Sequence, residues 1–239
     1  MEGLPMSRVL ALVEGATEYA IIDRVIAPFL SPQGIYLYAR ITGKPGHQGG
    51  VGKFAPVLND IKNLLKQEPG SMVTTFFDYY GLPLDWPGKR DSQKRSLKDI
   101  PGIMETSIAE AVVREFSNSF NPARFIPYIQ MYECEALLFS GPQEMANVFE
   151  RPKLQSIFEK IVKECGGCEQ INDDPDNAPS KRIEKHYPSY KKGKSDLAHA
   201  YRIVNHIGLS RIREACPHFN EWITRLEQLS SKQSSGLIP

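Results

Sequence analysis

The stretch that decides the fold is Arg8-Val9-Leu10-Ala11-Leu12-Val13-Glu14-Gly15-Ala16-Thr17-Glu18. A short apolar segment of the β type ends there in a carboxylate, a glycine and a helix-start signal. A second run ends in the same way, Met72-Val73-Thr74-Thr75-Phe76-Phe77-Asp78-Tyr79-Tyr80-Gly81. In an open α/β sheet, ligands bind outside the carboxyl ends of the strands. The two strand-end carboxylates, Glu14 and Asp78, therefore predict a divalent-metal site.

Hydrophobic periodicity extends these two strands into a larger α/β pattern. Strand, helix, strand, helix and strand follow one another at residues 8–13, 17–30, 35–41, 54–67 and 72–77. Strands that alternate with helices in this way form a parallel sheet covered by helices. A fourth strand is predicted at residues 124–132, where Pro127 favours an edge or a bulge. The glycine, proline and charged residues of the segment 80–101 predict an exposed excursion.

Helices dominate beyond residue 140. Apolar spacing predicts a helix at residues 104–116 and then six more, at residues 142–149, 152–165, 181–186, 195–207, 210–215 and 218–229. Pro28 is expected to kink or finish the first helix of the chain. We therefore expect an α/β core over residues 1–140 and a helical C-terminal region over residues 141–229 packed against it. Residues 230–239 are expected to form a disordered tail.

Composition and charge are those of an ordinary globular protein. Of the 239 residues, 41% are hydrophobic and 24% are charged, which is enough to bury a real core. The formal net charge of +1 excludes a uniformly basic nucleic-acid coat, although it is compatible with a local basic groove. No apolar stretch approaches the roughly 18 residues of a membrane span, and no secretory signal is visible. We therefore expect a cytoplasmic protein with no membrane partner.

Four acidic residues lie at predicted strand ends: Glu14, Asp78, Glu133 and Glu135. Together they could converge on Mg²⁺ or Mn²⁺, which prefer oxygen ligands and usually keep several waters. Such an ion can activate water and stabilise charge on a phosphoryl group. The alternative is that these acids are helix caps or solvated loop residues.

Several of these segments resemble the DUF4276 family. The resemblance lies in Val-Glu-Gly-x-Thr-Glu at residues 13–18, Phe-Asp-Tyr-Tyr-Gly-Leu-Pro at 77–83 and Tyr-Glu-Cys-Glu-Ala-Leu-Leu-Phe at 132–139. The segments 179–182 and 216–222 also fit, so the resemblance covers nearly the whole chain. It implies a Toprim-like α/β fold, similar to the metal-dependent domain of topoisomerases, primases and the nucleases of the overcoming-lysogenisation-defect group.

Toprim proteins carry a Glu after the first strand and an Asp-x-Asp after the third. Glu14 matches the first motif and Asp78 matches the first Asp of the second, but Tyr80 stands where the second Asp would be. The resemblance implies that Glu14 is a metal ligand or general base and that Asp78 holds the metal. We infer that Glu133 or Glu135 supplies the missing ligand, with Glu135 the better partner for a helix start.

Basic residues that could contact phosphate lie in two places. The glycine-rich loop at 43–53 is not a Walker A motif, because His47 and Phe54 replace its required Gly and its Ser or Thr. The loop can still present backbone N–H groups to a phosphate beside Lys44 and Lys53; alternatively it is a flexible connector. Lys181, Arg182 and Lys191 form the second set, near tyrosines that could stack on bases. The alternative for this second set is a solvated charged face.

The cysteines raise one further possibility. Cys165 and Cys168 form a lone C-x-x-C, and Cys216 with His218 could in principle complete a zinc site. The Cys-x-His spacing is unusual for such a site, so the sequence gives it little support.

The leading hypothesis is a metal-dependent nuclease acting on DNA or RNA. The resemblance also implies an ATPase partner of the ABC or AAA type, in a system that defends bacteria against phage. Since this sequence shows no ATPase motif of its own, the expected ATPase is a separate partner. Two other readings stay open. One is a catalytically inactive Toprim-like module that binds nucleic acid or a protein, and the other is phosphoryl transfer on a small nucleotide. The oligomeric state is also left open by the sequence.

Overall fold

The structure, a computed structural model, describes residues 6–43, 52–116, 120–171, 176–191 and 196–234. The predicted phosphate contact Lys44 and most of the glycine-rich loop lie outside the described residues, as do residues 235–239 of the predicted tail.

A parallel sheet forms the centre of the molecule. Its strands are β1 (Ser7–Val13), β2 (Ile35–Ile41), β3 (Met72–Asp78), β4 (Phe125–Ile126) and β5 (Ile129–Gln130). The order is β2-β1-β3-β4, with β5 also paired to β3, and each of these strand pairs is parallel. The predicted α/β class with a mainly parallel sheet is therefore confirmed.

Helices cover both faces of this sheet. They are α1 (Ala16–Ile21), α2 (Ala27–Leu30), α3 (Phe54–Gln67), α4 (Lys89–Ser92), α5 (Ile100–Arg114), α6 (Pro142–Val148), α7 (Leu154–Cys165), α8 (Pro179–His186), α9 (Asp196–Ile207), α10 (Leu209–Ala215) and α11 (Pro217–Ser234). Short 3₁₀ segments lie at Ser31–Gln33, Pro122–Arg124, Cys134–Ser140 and Cys168–Gln170. α11 continues to Ser234, past the predicted helix end at residue 229.

The strand β1 is buried on both sides, which is why it reads as an uninterrupted apolar run. Its residues Val9, Ala11 and Val13 belong to a core that includes the C-terminal helices. Leu10 and Leu12 belong to a second core, formed with α3 and α5. The helical C-terminal part thus shares one hydrophobic core with a face of the sheet.

The segment after β1 contains an unusual turn. A π-helical turn at Ile22–Ile26 joins α1 to α2, and the N–H of Ala27 bonds to the carbonyl oxygen of Ile22, five residues back. The next residue, Pro28, has no N–H and cannot donate a helical hydrogen bond. A π-helical turn, which itself lacks one of the usual i to i−4 bonds, therefore fits directly before this proline. Pro28 therefore does not finish the helix, which runs on to Leu30.

The segment 80–101 is only partly the exposed excursion that its composition predicts. Trp86 is 3% exposed and packs edge-on against Phe54 and Phe77. Its indole N–H donates to the carbonyl oxygen of Gly52 at 3.0 Å. The carboxylate of Asp85 accepts the backbone N–H of Phe54 at 3.0 Å, at the start of α3. One large aromatic side chain therefore fastens this segment to the core.

The predicted fourth strand is divided into β4 and β5, with Pro127 and Tyr128 between them. Thr75 bridges the gap, because its hydroxyl bonds to both the N–H and the carbonyl of Tyr128, each at 2.9 Å. Its neighbour Thr74 donates to the carbonyl of Ile126 at 2.6 Å and accepts the indole N–H of Trp222 at 2.9 Å. The two threonines connect the short strands and α11 to the central strand β3.

No helix among the described residues combines the length and the apolar character needed to cross a membrane.

Replacing Thr74 by valine should destabilise the protein by about 1–3 kcal/mol, because a buried carbonyl and a buried indole N–H both lose a partner. Urea unfolding followed by tryptophan fluorescence measures this. Thr106→Val is the matched control, since Thr106 is exposed on α5 and should change the free energy of unfolding by less than about 0.5 kcal/mol. Equal stability of the two variants would contradict this role of Thr74.

Candidate metal centre

The carboxyl edge of the sheet gathers acidic side chains from several elements. Asp78 is the last residue of β3 and is 3% exposed. Glu14 directly follows β1 and is half-buried. Glu18 lies in the first turn of α1 and is 4% exposed. The parallel strands thus deliver carboxylates from two chain segments to one edge.

Three potential metal ligands converge at this edge: Glu18, Asp78 and Cys134. A carboxylate oxygen of each acid and the Cys134 sulfur all lie within 4.8 Å of one another. Cys134 is 1% exposed, so the three side chains form a buried cluster. Among the described residues, no other group of three or more His, Cys, Asp or Glu side chains meets this criterion. Glu14 and Glu135 are not members of it.

A backbone hydrogen bond fixes two members of the cluster relative to each other. The Oδ1 atom of Asp78 accepts the N–H of Cys134 at 2.8 Å. Cys134 is the first residue of a 3₁₀ segment, where backbone N–H groups have no helical partner and suit an anionic acceptor. The same carboxylate therefore holds the Cys134 segment and contributes to the cluster.

Glycine at position 15 makes room for Glu18. A Cβ atom at Gly15 would lie 3.2 Å from Oε2 of Glu18, which is tighter than an ordinary contact. The Gly15 backbone is extended, with φ −150° and ψ −168°, so its conformation alone does not require glycine. The close approach of the Glu18 carboxylate explains why glycine precedes α1 in Val-Glu-Gly-x-Thr-Glu.

Glu133 makes its described contacts with the C-terminal region. Its two oxygens accept the backbone N–H of Ser180 at 2.7 Å and the Ser180 hydroxyl at 3.1 Å. Ser180 lies in the first turn of α8, so Glu133 ties the start of that helix to the edge of the sheet. This carboxylate, 3% exposed, therefore has a structural function.

Glu135 lies behind Cys134. One of its oxygens is 3.4 Å from the Cys134 sulfur, and the other accepts the Tyr190 hydroxyl at 3.4 Å. Both Glu135 and Tyr190 are almost fully buried. Glu135 is thus placed to orient the cysteine.

The backbone at Tyr132 explains why these acids diverge. Tyr132 has a φ of 59°, in the left-handed region that a bulky residue rarely adopts. The backbone pairing that begins with β3 and β5 extends as far as this residue, because the N–H of Tyr80 donates to the carbonyl of Tyr132 at 2.9 Å. The chain then turns and enters the 3₁₀ segment, so residues 133–135 do not alternate as they would in a strand. Tyr80 itself continues the strand pairing at the position of the missing Asp.

The predicted phosphate contacts that the structure describes differ in exposure and in pairing. Lys53 is exposed directly before α3, and Lys191 is exposed after α8. Lys181 is exposed and pairs with Glu184 at 3.0 Å. Arg182 is half-buried and donates to the carbonyl of Asn177 at 2.8 Å, so it supports the start of its own helix.

The cysteines outside the cluster form a pair. A hydrogen bond between the thiols of Cys168 and Cys216 lowers the pKa of Cys168, and the same bond together with burial raises the pKa of Cys216 well above its usual value. Among the described residues, no three of Cys165, Cys168, Cys216 and His218 offer ligand atoms within 4.8 Å of one another. The spacing needed for a zinc site is therefore not met there.

Two of the three clustered residues, Glu18 and Cys134, were not predicted from the sequence. Glu18 lies four residues after Glu14, inside the motif at residues 13–18 and in the first turn of α1. The search for acids at strand ends did not include it. Cys134 stands between the two acids that were chosen. The second Glu of the Val-Glu-Gly-x-Thr-Glu motif was the signal that could have indicated Glu18.

The donor set fits a divalent cation. Two carboxylates are what Mg²⁺ and Mn²⁺ usually take from a protein, with water and phosphate oxygens completing the shell. Two buried carboxylates this close also favour a neighbouring positive charge. The thiol is a softer ligand than Mg²⁺ prefers.

Fold and site together define an α/β protein with a candidate metal centre at the carboxyl edge of a parallel sheet. The model of a family described as a domain of unknown function, DUF4276, matches residues 13–227. The chain belongs to the DUF4276 family. Curated protein sequences give no match.

Two solved structures resemble this chain. The C-terminal region of the Burkholderia pseudomallei OLD protein is 14% identical with a TM-score of 0.49, covering 94% of this chain and 98% of that one. The C-terminal region of the Xanthomonas campestris pv. campestris OLD protein is 16% identical with a TM-score of 0.38, covering 96% and 98% respectively. Likenesses at this level carry no information about activity.

Replacing Glu133 by glutamine should lower the free energy of unfolding by about 1–3 kcal/mol, because a charge-assisted pair of buried hydrogen bonds is weakened. Urea unfolding measures the loss, and calorimetry with Mn²⁺ should give an unchanged affinity. Glu184→Gln, which removes only an exposed ion pair, is the control and should cost little. A variant of normal stability that no longer binds Mn²⁺ would instead make Glu133 a ligand.

Proposed function

We propose that the protein is a metal-dependent nuclease that hydrolyses phosphodiester bonds of DNA or RNA. The observation that carries the proposal is the convergence of Glu18, Asp78 and Cys134 within 4.8 Å at the carboxyl edge of a parallel sheet. Ligands of open α/β sheets bind at this edge. The resemblance of residues 13–18 and 77–83 to Toprim proteins agrees with this chemistry.

Glu18 and Asp78 are the residues proposed to hold Mg²⁺ or Mn²⁺. When bound, the ion would stabilise negative charge on the phosphoryl group and favour ionisation of water. The backbone N–H of Cys134 keeps the Asp78 carboxylate in one orientation. Gly15 leaves the space that the Glu18 carboxylate occupies.

Glu14 has a different proposed role. It lies beside the centre at the end of β1, and its side chain is more exposed than those of the clustered acids. A carboxylate that water can reach can accept a proton from an attacking water molecule. We therefore assign Glu14 as the candidate general base, whereas Glu135 acts through its contact with Cys134.

Exposed lysines supply the proposed contacts to the nucleic-acid backbone. Lys53 precedes α3, which begins after the crossover from β2 and therefore at the carboxyl side of the sheet. Lys181 lies beside Ser180, which Glu133 fastens to the same side. Lys44, Arg182 and Lys191 complete the proposed set. Ammonium groups bind phosphates as point charges and add a salt-dependent contribution to affinity.

The proposal extends to a cytoplasmic partner. In keeping with the family resemblance, we propose that a separate ABC- or AAA-type ATPase controls the nuclease within an anti-phage defence system. The glycine-rich loop at residues 43–53 does not match the Walker A sequence. We therefore assign the ATPase to a separate protein.

A catalytically inactive module that binds nucleic acid or protein is the second candidate. Tyr80 occupies the position of the second Toprim Asp and continues the strand pairing with Tyr132. Glu133 makes hydrogen bonds to Ser180. These two observations favour a centre with fewer ligands, which would retain binding but not hydrolysis.

Replacing Asp78 by asparagine or Glu18 by glutamine should reduce Mn²⁺-dependent cleavage by about 100-fold or more, as removal of a charge-stabilising group does in other enzymes. The measurement is cleavage of plasmid DNA, single-stranded DNA and RNA in parallel. Glu110→Gln is the matched control, because Glu110 is 63% exposed on α5. Retained cleavage in both cluster variants would refute the mechanism, and a wild-type protein that binds nucleic acid without cutting it would favour the inactive module.

Purification of the tagged protein from its native host at natural expression levels should bring down an ATPase in stoichiometric amount. Mass spectrometry of the eluate identifies it. The control is the same purification with the tag alone, and an eluate with no ATPase above that background would count against the proposed partner.

A further inference from the structure

We propose that Cys134 is a ligand of the metal centre and that its sulfur makes the centre prefer Mn²⁺ to Mg²⁺ and accept thiophilic ions such as Cd²⁺. This inference rests on the proposed function, because it concerns the same centre. It adds a selectivity that the carboxylates alone would not provide.

The position of the sulfur is the first observation. It lies within 4.8 Å of oxygens from both Glu18 and Asp78, which is a separation that one ion can bridge. Cys134 is 1% exposed, so its sulfur faces neighbouring protein groups rather than solvent. The sulfur is therefore part of a mixed set with two carboxylates, each supplied by a different segment of the chain.

The surroundings of Cys134 hold it in this place. Its backbone N–H is bound by Asp78 at 2.8 Å, which fixes the Cα position next to the cluster. On its other side, the Cys134 thiol donates to Oε2 of Glu135 at 3.4 Å, and the other oxygen of Glu135 accepts the Tyr190 hydroxyl. The thiol must lose this proton to bind a metal ion, so metal uptake should release one proton to solvent. Residues that contact a metal ligand orient it and change the affinity of the site for metal. Cys168 and Cys216 lack this setting, because they bond to each other.

The chemistry of the donors gives the selectivity. Mg²⁺ binds oxygen ligands in a near-ideal octahedron, whereas softer thiolate ligands favour softer ions. A set of two carboxylates and one sulfur therefore disfavours Mg²⁺ relative to Mn²⁺ and accommodates Cd²⁺.

Titration of the full-length protein with Cd²⁺, followed by ultraviolet absorption, tests the inference. Because the Cys168–Cys216 thiol pair could also bind Cd²⁺, sulfur ligation by Cys134 should give a charge-transfer band that saturates at one equivalent in Cys168→Ser and is lost in the double variant Cys134→Ser/Cys168→Ser. Calorimetry with Mn²⁺ and Mg²⁺ should show the ratio of their affinities falling by about 10-fold or more in this variant. Cys165→Ser and Cys168→Ser are the matched controls and should keep the band.

Each outcome decides between the possibilities. A band that persists in Cys134→Ser/Cys168→Ser, or that disappears in Cys168→Ser, would overturn the assignment. If the Cys134→Ser variants do not fold, cadmium NMR of Cys168→Ser gives the answer, because a sulfur ligand shifts the resonance far from that of an all-oxygen site. Binding of Mn²⁺ and Mg²⁺ through Glu18 and Asp78 without any sulfur signal would overturn this inference alone. No binding of any of the three ions would overturn the proposed function as well.

Discussion

The hydrogen bond between the Asp78 carboxylate and the backbone N–H of Cys134 is the contact on which the site depends. It is buried and charge-assisted, and such bonds are about twice as strong as neutral ones. It joins the end of the central strand to the segment that leaves the sheet after β5. Because of this bond, the Cys134 sulfur lies beside Asp78, and the two flanking acids point toward the C-terminal helices. The Asp78 carboxylate is thus both a candidate metal ligand and the acceptor that holds the backbone of Cys134.

The sheet and its acidic edge could be predicted from the sequence because both follow from simple periodicities. Apolar runs that are buried on both faces indicate parallel strands, and the residues directly after such strands must lie at one edge. The three strands β1, β2 and β3 follow this rule. Asp78 was found in this way. The burial of Trp86 could not be predicted in this way. Its neighbours in sequence are glycine, proline and charged residues, which are typical of an exposed segment, yet its side chain is buried.

The finer geometry of the site could not be predicted, for physical reasons that differ between residues. Alternation along a strand suggests that Glu133 and Glu135 share a face, but the left-handed turn at Tyr132 and the following 3₁₀ segment end that alternation. Glu18 enters the cluster from a helix, where its carboxylate lies so close to Gly15 that a Cβ atom there would be 3.2 Å from Oε2. Cys134 is ordinary in sequence, and only its position beside Glu18 and Asp78 makes it a candidate ligand.

The attachment of α8 to Glu133 has a consequence for the history of this architecture. Composition divides the chain near residue 140, yet Ser180 and Tyr190 are bonded to the two glutamates that flank Cys134. The later part of the chain therefore completes the polar interior of the earlier part, instead of being an independent addition to it. A gene fusion or truncation that exchanged everything after residue 140 would remove the Ser180 and Tyr190 donors from these two buried carboxylates. These buried hydrogen bonds therefore favour sequence changes on the two sides of residue 140 that preserve each other's donors and acceptors.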